Sequence, residues 1–424
     1  MTGRRMLVAL AKLALAMLTA CGPAAVAQQA AQALPERVTL PVLLRLVAER
    51  SPRLAAERIA IDAAEADRIV AGALPNPTLS YGRFRPSGGA QTIFEGSRQQ
   101  QANVDFPLLI GGQRAARVEA AEQGVLGARA RVAMAGNELV LRAAELFTGL
   151  QAAQEKIAVL AEALSEIERA SSVISGRLDS GMASRYDLAR VEIEVAGMAV
   201  RVQEARADEA EKSGGLAALL GAPGWRPRAE GLLTPSGLPS DASQWQDSLA
   251  ARNPQIAAAR REEDTARAAL VRAEHERWPV PVLSLGRTWT SDPFGAANFV
   301  GFSTEVFLFD DRRGPVSKAQ AELRAAERRR EAVEAEVGVE MQRLLDALSQ
   351  RRTALERFEQ RVDVRTPALR QMAEDAYRLG RGTVLELIDA TRSRVDARVT
   401  GIDLRAFTVQ QELRILALTG GLGE

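Results

Sequence analysis

The sequence predicts a mainly helical chain with a small β part, built as two copies of one plan. Three observations predict this. Two stretches of about 65 residues, 113–178 and 315–379, keep a helical periodicity with no interior proline except Pro367. Matching motifs return at an offset of roughly 200 residues. Period-two alternation is confined to two short regions, one in each half. Aromatic residues make up only 4% of the chain, which suits long packed helices better than a compact enzyme.

The first element is a leader. MTGRRMLVALAKLALAMLTACG has Arg4 and Arg5 ahead of an apolar stretch over 6–17, the pattern of a secretory signal over 1–20. Leu18-Thr19-Ala20-Cys21 looks like a bacterial lipobox, which would make Cys21 an acylated N-terminus. Ala25-Val26-Ala27 offers an ordinary cleavage site instead. Cys21 is the only cysteine, so no disulfide can form within the chain. Beyond the leader no run of ~18 uncharged apolar residues exists to span a membrane as a helix. Any crossing must then be made by strands.

The repeat begins with helical stretches, 38–73 and 245–277, that carry AERSPRLAAER (48–58) and AARNPQIAAAR (250–260). Proline pairs stop them, Pro75 and Pro77 in one copy, Pro279 and Pro281 in the other. Four strands are expected next, two per half, near 78–84, 100–108, 282–290 and 299–308. Of the 18 aromatic residues, 11 fall in 74–110 and 278–310, which fits a girdle at a membrane interface as well as ordinary strand preference. Four strands cannot close a membrane barrel and open edges are not tolerated in lipid, so copies must pool their strands.

The long helices follow. At ~1.5 Å per residue each is about 100 Å tall, the dimension of a bundle or tunnel wall. Gly136 and Pro367 mark expected soft points or kinks. Each run then stops and restarts, at RLDSGMASRYDLAR (177–190) and YRLGRGTVLELIDATR (377–392), with the shared pattern G-x-x-[ST]-x-x-[DE]-L. Gly181 and Gly380 suit a left-handed helix end. Ser184 with Asp187, and Thr383 with Glu386, form capping boxes. Each half therefore has a helical hairpin whose tip, at 180–184 or 379–383, lies far from the strands. Return helices end in LAALLG (216–221) and ILALTG (415–420). The expected division is a first repeat over 36–221, a Pro/Gly-rich linker over 222–240 and a second repeat over 241–420.

This order, with YRLGRGTVLELIDA at the second tip, resembles the TolC-like outer-membrane factors of Gram-negative bacteria over almost the whole mature chain. VDFPLLIGGQRAAR (104–117) and VFLFDDRRGPVSKAQAE (306–322) look most like the CzcC branch, which serves heavy-metal efflux. The resemblance implies a homotrimer whose protomers each give four strands to a 12-stranded barrel in outer-membrane lipid, above a helical periplasmic tunnel. It implies a tripartite system with a periplasmic adaptor and an inner-membrane RND transporter. Ser180, Gly181, Met182, Leu379, Gly380 and Arg381 correspond to the surface that meets the adaptor. Tyr377 matches a tyrosine that helps hold the entrance shut. Some relatives carry a locking arginine where this chain has Gly382; here the nearest arginines are Arg378 and Arg381.

Asp187, Glu386 and Asp389 are candidates for a constriction. Glu386 and Asp389 share a helix face, and three copies would ring the axis with carboxylates that favour cations. Capping alone also accounts for Asp187 and Glu386, but not for Asp389. Enzymatic chemistry finds no support. His275 is the only histidine, so no His/Cys metal centre or Ser-His nucleophile can be assembled, and no phosphate-binding loop is present. No cofactor is implied. A net charge of +1 argues against nucleic acid. Rival readings are a channel for drug efflux or type I secretion, and a periplasmic coiled-coil structural or adaptor protein.

Overall fold

The computed structural model describes residues 34–85, 98–239, 241, 243–290, 295–363, 366–379 and 381–422; the leader 1–20, Cys21 and Gly380 lie outside the described residues. In chain order the elements are β1 (Arg37–Val38), α1 (Leu40–Arg50), α2 (Pro52–Gly72), β2 (Thr78–Phe84), β3 (Gln99–Pro107), α3 (Gln113–Asp179) and α4 (Arg185–Leu219). The second half follows with β4 (Arg228–Ala229), α5 (Ser243–Arg252), α6 (Pro254–His275), β5 (Val282–Thr290), β6 (Ala296–Ser303) and α7 (Arg313–Phe358). A π-helical segment (Glu359–Asp363), α8 (Thr366–Arg378) and α9 (Val384–Leu418) complete it.

Each stretch expected as one helix before the strands is two. Pro52 and Pro254 sit at the first turn of α2 and α6, where a missing N–H costs nothing, and force the preceding Ser51 and Asn253 into extended backbone. Asn253 caps α6, accepting from the Ile256 amide at 2.8 Å, and donates to the Leu418 carbonyl at 2.8 Å. The returning helices end against these breaks. Gly221 and Gly420 both have left-handed backbone, and a Cβ on Gly221 would meet Pro52 at 2.8 Å while one on Gly420 would meet the Arg252 carbonyl at 2.7 Å. The repeat therefore extends to how each half anchors its own last turn.

The four expected strands form one antiparallel sheet in the order β2-β3-β5-β6, so β3 and β5 join the halves. Its register separates the two faces. Leu79, Val104, Leu285 and Val300 align in one row across all four strands, and Phe106, Leu283 and Phe302 in the next. On the opposite face the aligned rows hold Asp105 with Ser284 and Gln101 with Thr288, and the Ser284 hydroxyl donates to Asp105 at 2.5 Å. The contrast holds in the rows nearest the helices; farther along the same face Ala102 aligns with Arg287 and Asn298, and Arg83 with Gln100. β6 ends at Ser303 rather than 308, because its partner β5 begins at Val282, just after Pro279 and Pro281, and offers no ladder beyond that residue. Two further strands, β1 and β4, were not expected. They are two residues each, too short to show alternation, and pair in parallel to bind the linker to the start of the chain.

Above the linker, α3 lies between α2 and α6, and α6 packs on α7; nearer the tips, α3 lies between α4 and α9. The main core fills the second arrangement with Ile167, Ile174, Val191, Met198, Ile388 and Val395. α3 runs unbroken for 67 residues through Gly136. Its counterpart is interrupted at 359–363. Pro367 has no N–H for the carbonyl of residue 363, so an α-helical ladder cannot continue through it, and the chain widens into a π turn before restarting at Thr366. The break thus lies on the N-terminal side of the expected point.

Candidate functional site

The candidate site is the pair of hairpin tips and the helices that converge on them. At the first tip α3 ends in a Schellman turn: the Gly181 amide donates to the Leu178 carbonyl at 3.0 Å and the Met182 amide to the Arg177 carbonyl at 2.7 Å. Gly181 has φ +74°, and nothing lies within 4 Å of where its Cβ would be. The Ser180 hydroxyl donates back to the Gly176 and Arg177 carbonyls at 3.2 and 3.0 Å. Ser184 then starts α4. Its Oγ accepts from the Asp187 amide at 3.1 Å, and its own amide and hydroxyl donate to Asp187 Oδ2 at 3.1 and 2.7 Å.

The second tip repeats the chemistry. The Arg381 amide donates to the Ala376 carbonyl at 2.9 Å, the long arm of the same turn. Thr383 Oγ1 accepts from the Glu386 amide at 3.3 Å, and the Thr383 amide donates to Glu386 Oε2 at 2.9 Å. Gly382 is packed closely, since a Cβ there would lie 3.1 Å from that of Ala376 and 3.2 Å from Glu386 Oε2. A larger residue at this position would disturb the cap. Met182 and Leu379 project from the two tips at 72% and 64% exposure, an unusual outlay of apolar surface on a solvated turn.

The carboxylates divide by role. Asp187 and Glu386 spend an oxygen on capping, whereas Asp389 is exposed one turn beyond Glu386 with no capping bond. The Ser184 hydroxyl and amide hold the Asp187 carboxyl below its ordinary range. The sign follows directly. A depressed folded value means that this cap contributes stability above the unfolded carboxylate range, near pH ~3.9, and loses it as pH falls through the folded value.

Tyr377 ties the tips together. The Arg177 guanidinium, at the end of α3, lies 4.8 Å from the Tyr377 ring centroid, and the ring packs against the core. Both residues line a cleft of ≈ 440 Å³ with Glu166, Val191, Ile388 and Thr391. Behind it stands a ladder of ion pairs that sequence reasoning did not find. Along α9, Arg394 bonds Glu166, Arg398 bonds Glu162 at 2.6 Å, Asp403 takes Lys156 at 2.7 Å and Arg414 bonds Glu145 at 2.7 Å, all on α3. Toward α4, Arg392 bonds Glu194 and Asp396 takes Arg201 at 2.8 Å. The signal was present as opposite charges whose numbers fall on α3 as they rise on α9, but it requires knowing that these helices are antiparallel neighbours.

The family description "Outer membrane efflux protein" matches residues 43–222 and 245–421, both halves of the repeat. The chain belongs to the outer membrane efflux protein family. As such it is an outer-membrane efflux channel, and its four-stranded sheet and long helices are one protomer's part of it. It is 26% identical over 393 residues to the cobalt-zinc-cadmium resistance protein CzcC of Cupriavidus metallidurans, covering 90% of each chain. To the nickel-cobalt-cadmium resistance protein NccC of Alcaligenes xylosoxydans xylosoxydans it is 27% identical over 322 residues, 73% of this chain and 69% of the relative. Its fold matches the solved outer-membrane channel OprN with a TM-score of 0.76 at 20% identity, covering 90% of each. Among the described residues no group of three or more His, Cys, Asp and Glu side chains could hold a metal ion, and no helix is long and apolar enough to cross a membrane.

Proposed function

We propose that this outer membrane efflux protein is the passive exit duct of a tripartite system that expels divalent heavy-metal cations. Its partners are a periplasmic adaptor and an inner-membrane RND transporter, and three copies build a 12-stranded barrel over a helical tunnel. The observation that carries the cargo is the full-length similarity to CzcC, supported by NccC. The chain acts without catalysis or a cofactor. The efflux repeats are 36–221 and 241–420, joined by 222–240; residues 1–20 are removed and Cys21 is acylated.

The experiment is the metal and drug sensitivity of a deletion strain carrying the native gene or none. Selective loss of resistance to zinc, cobalt or cadmium is expected; sensitivity confined to drugs or dyes would keep the channel and replace the cargo. In the same strain, Gly181→Trp is expected to abolish rescue while the assembly stays intact, because the bulk sits on the adaptor-docking surface formed by Ser180, Gly181, Met182, Leu379, Gly380 and Arg381. Gly181→Asn, which tolerates left-handed backbone, is the control that separates turn strain from docking and should rescue.

At the entrance, Tyr377 holds the tips closed and Asp187, Glu386 and Asp389 set the charge of the opening. Asp389 is the carboxylate free of capping duty and is assigned to the pore. Asp389→Asn is expected to lower cation-over-anion selectivity in planar bilayers with no change in assembly. Unchanged selectivity would remove Asp389 from the pore.

A further inference from the structure

The cleft behind the tips has a lining that neither capping nor core packing uses up. The Arg177–Tyr377 contact bounds it at the tip end, and Glu166, which Arg394 bonds, stands at the other. α3 forms one wall, and the first turns of α9, with Val384, Leu387 and Ile388, form the opposite one. At ≈ 440 Å³ the space is that of a small-molecule site. Along α3 it extends only from 166 to 177, about three turns, with side chains across both ends, which suits a compact ligand better than a partner's helix.

The α3 wall carries a pattern of its own. Arg169, Val173 and Arg177 follow one another at a spacing of four, so they stand in one row along the cleft. Val173 is 52% exposed, an apolar side chain left half uncovered between two cations. Arg169 is exposed and has no carboxylate partner among the described residues. Arg177 faces the Tyr377 ring instead of a carboxylate. Glu166 is the one carboxylate among the described lining residues, and Arg394 neutralises it. Glu386 and Asp389, on the same stretch of α9, are not part of the lining. The uncompensated charge facing the cleft is therefore positive.

We propose that this cleft binds a small amphipathic organic anion, an aromatic ring system carrying one sulfonate or carboxylate. The anionic group bonds the Arg169 guanidinium, whose planar fork matches two of its oxygens, while the ring system covers Val173 and lies against Ile388 and Tyr377. Such a ligand touches α3 and α9 at once. Its binding favours the arrangement in which the two tips are joined, and that shift of population lowers conductance. A cleft that selects anions is no station on a cation's route, so the ligand regulates the channel and is not its cargo. This regulatory role rests on the reading above in which Tyr377 holds the tips closed and the cargo is cationic; the binding itself does not.

The test is calorimetric titration of naphthalenesulfonate into the intact detergent-extracted assembly, with naphthalenesulfonamide as the uncharged analogue. Saturable binding is expected, about tenfold weaker for the sulfonamide, and Arg169→Gln should cost the sulfonate about tenfold while leaving the sulfonamide unchanged. Val173→Trp fills the cleft from an exposed position and should abolish binding of both, which separates the site from uptake by detergent. Sulfonate binding that is absent, equal to that of the sulfonamide, or indifferent to both variants would overturn the site. In planar bilayers, naphthalenesulfonate on the side of the tips should lower the single-channel conductance of the native protein and not that of Val173→Trp. Binding without that drop would overturn the regulatory role. Tyr377→Ala with a conductance no higher than native in the absence of ligand would instead overturn the closed-tip reading and leave the site standing.

Discussion

Glu412→Ala is expected to cause the largest loss of stability of any single substitution considered for this protein. The Glu412 carboxylate is 2% exposed and serves three groups of donors. It accepts from the Ser236 amide and hydroxyl at 2.6 and 2.8 Å, from the Gly237 amide at 3.1 Å and from the Arg352 guanidinium at 2.5 Å. Arg352 also donates to the Leu238 carbonyl. One buried carboxylate on α9 thereby holds the linker down and fastens it to α7. Alanine would leave two amides, a hydroxyl and a guanidinium without their acceptor, a loss of about 3–5 kcal/mol. It is measured as a lower denaturant midpoint of the detergent-solubilised protein; Glu412→Gln, which keeps the shape and one acceptor, should fall between. Burial pushes the Glu412 carboxyl up, but Arg352 and Ser236 outweigh it and hold it below the usual range. The contribution is thus present above the unfolded value, near pH ~4.3, and is lost as pH falls through the folded one. A midpoint unmoved by the alanine variant would mean that the linker is held by other contacts.

Arg394→Ala is expected to be nearly as costly and to change function as well. The side chains of Arg394 and Glu166 are 6% and 11% exposed, so the substitution removes the cation from a nearly dry carboxylate, at about 3–5 kcal/mol. A paired change, Arg394→Met with Glu166→Leu, should recover most of that stability, because two apolar side chains need no desolvation. The channel consequence should not recover. Both the single and the paired variant release the charge link between α9 and α3 behind the Arg177–Tyr377 contact, so single-channel conductance in a bilayer should rise above that of the native protein in each. Raised conductance in the single variant alone would assign the effect to unfolding rather than to the link.

The elements most legible in the sequence were those that rest on local rules. The stop-and-restart motif at 180–187 gave the Schellman turn and capping box because every donor and acceptor in it lies within a few residues. β3 was visible because alternation separates Ala102, Val104 and Phe106 from Gln101, Asn103 and Asp105. What stayed hidden depends on distant partners. β6 stops at Ser303 because of where β5 starts, and β1 with β4 pairs segments some 190 residues apart. At the site, Asp187, Glu386 and Tyr377 could be placed near the tips, but the Arg394–Glu166 pair could not be found, since nothing local marks an arginine as buried. Pro52 and Pro254 were in plain view, and the breaks follow from their local chemistry; what stayed hidden was that the returning helices end against those breaks at Gly221 and Gly420.

The interruption at 359–363 has a mechanical consequence. α3 is a single strut from the strands to its tip, so an axial push at Gly181 is carried along one continuous hydrogen-bonded column. The arm made of α7 and α8 reaches the second tip through a wider, less regular turn, which is more compliant in bending. Equal force on both tips therefore produces unequal travel: the first behaves as a fixed post, and the second as the lever.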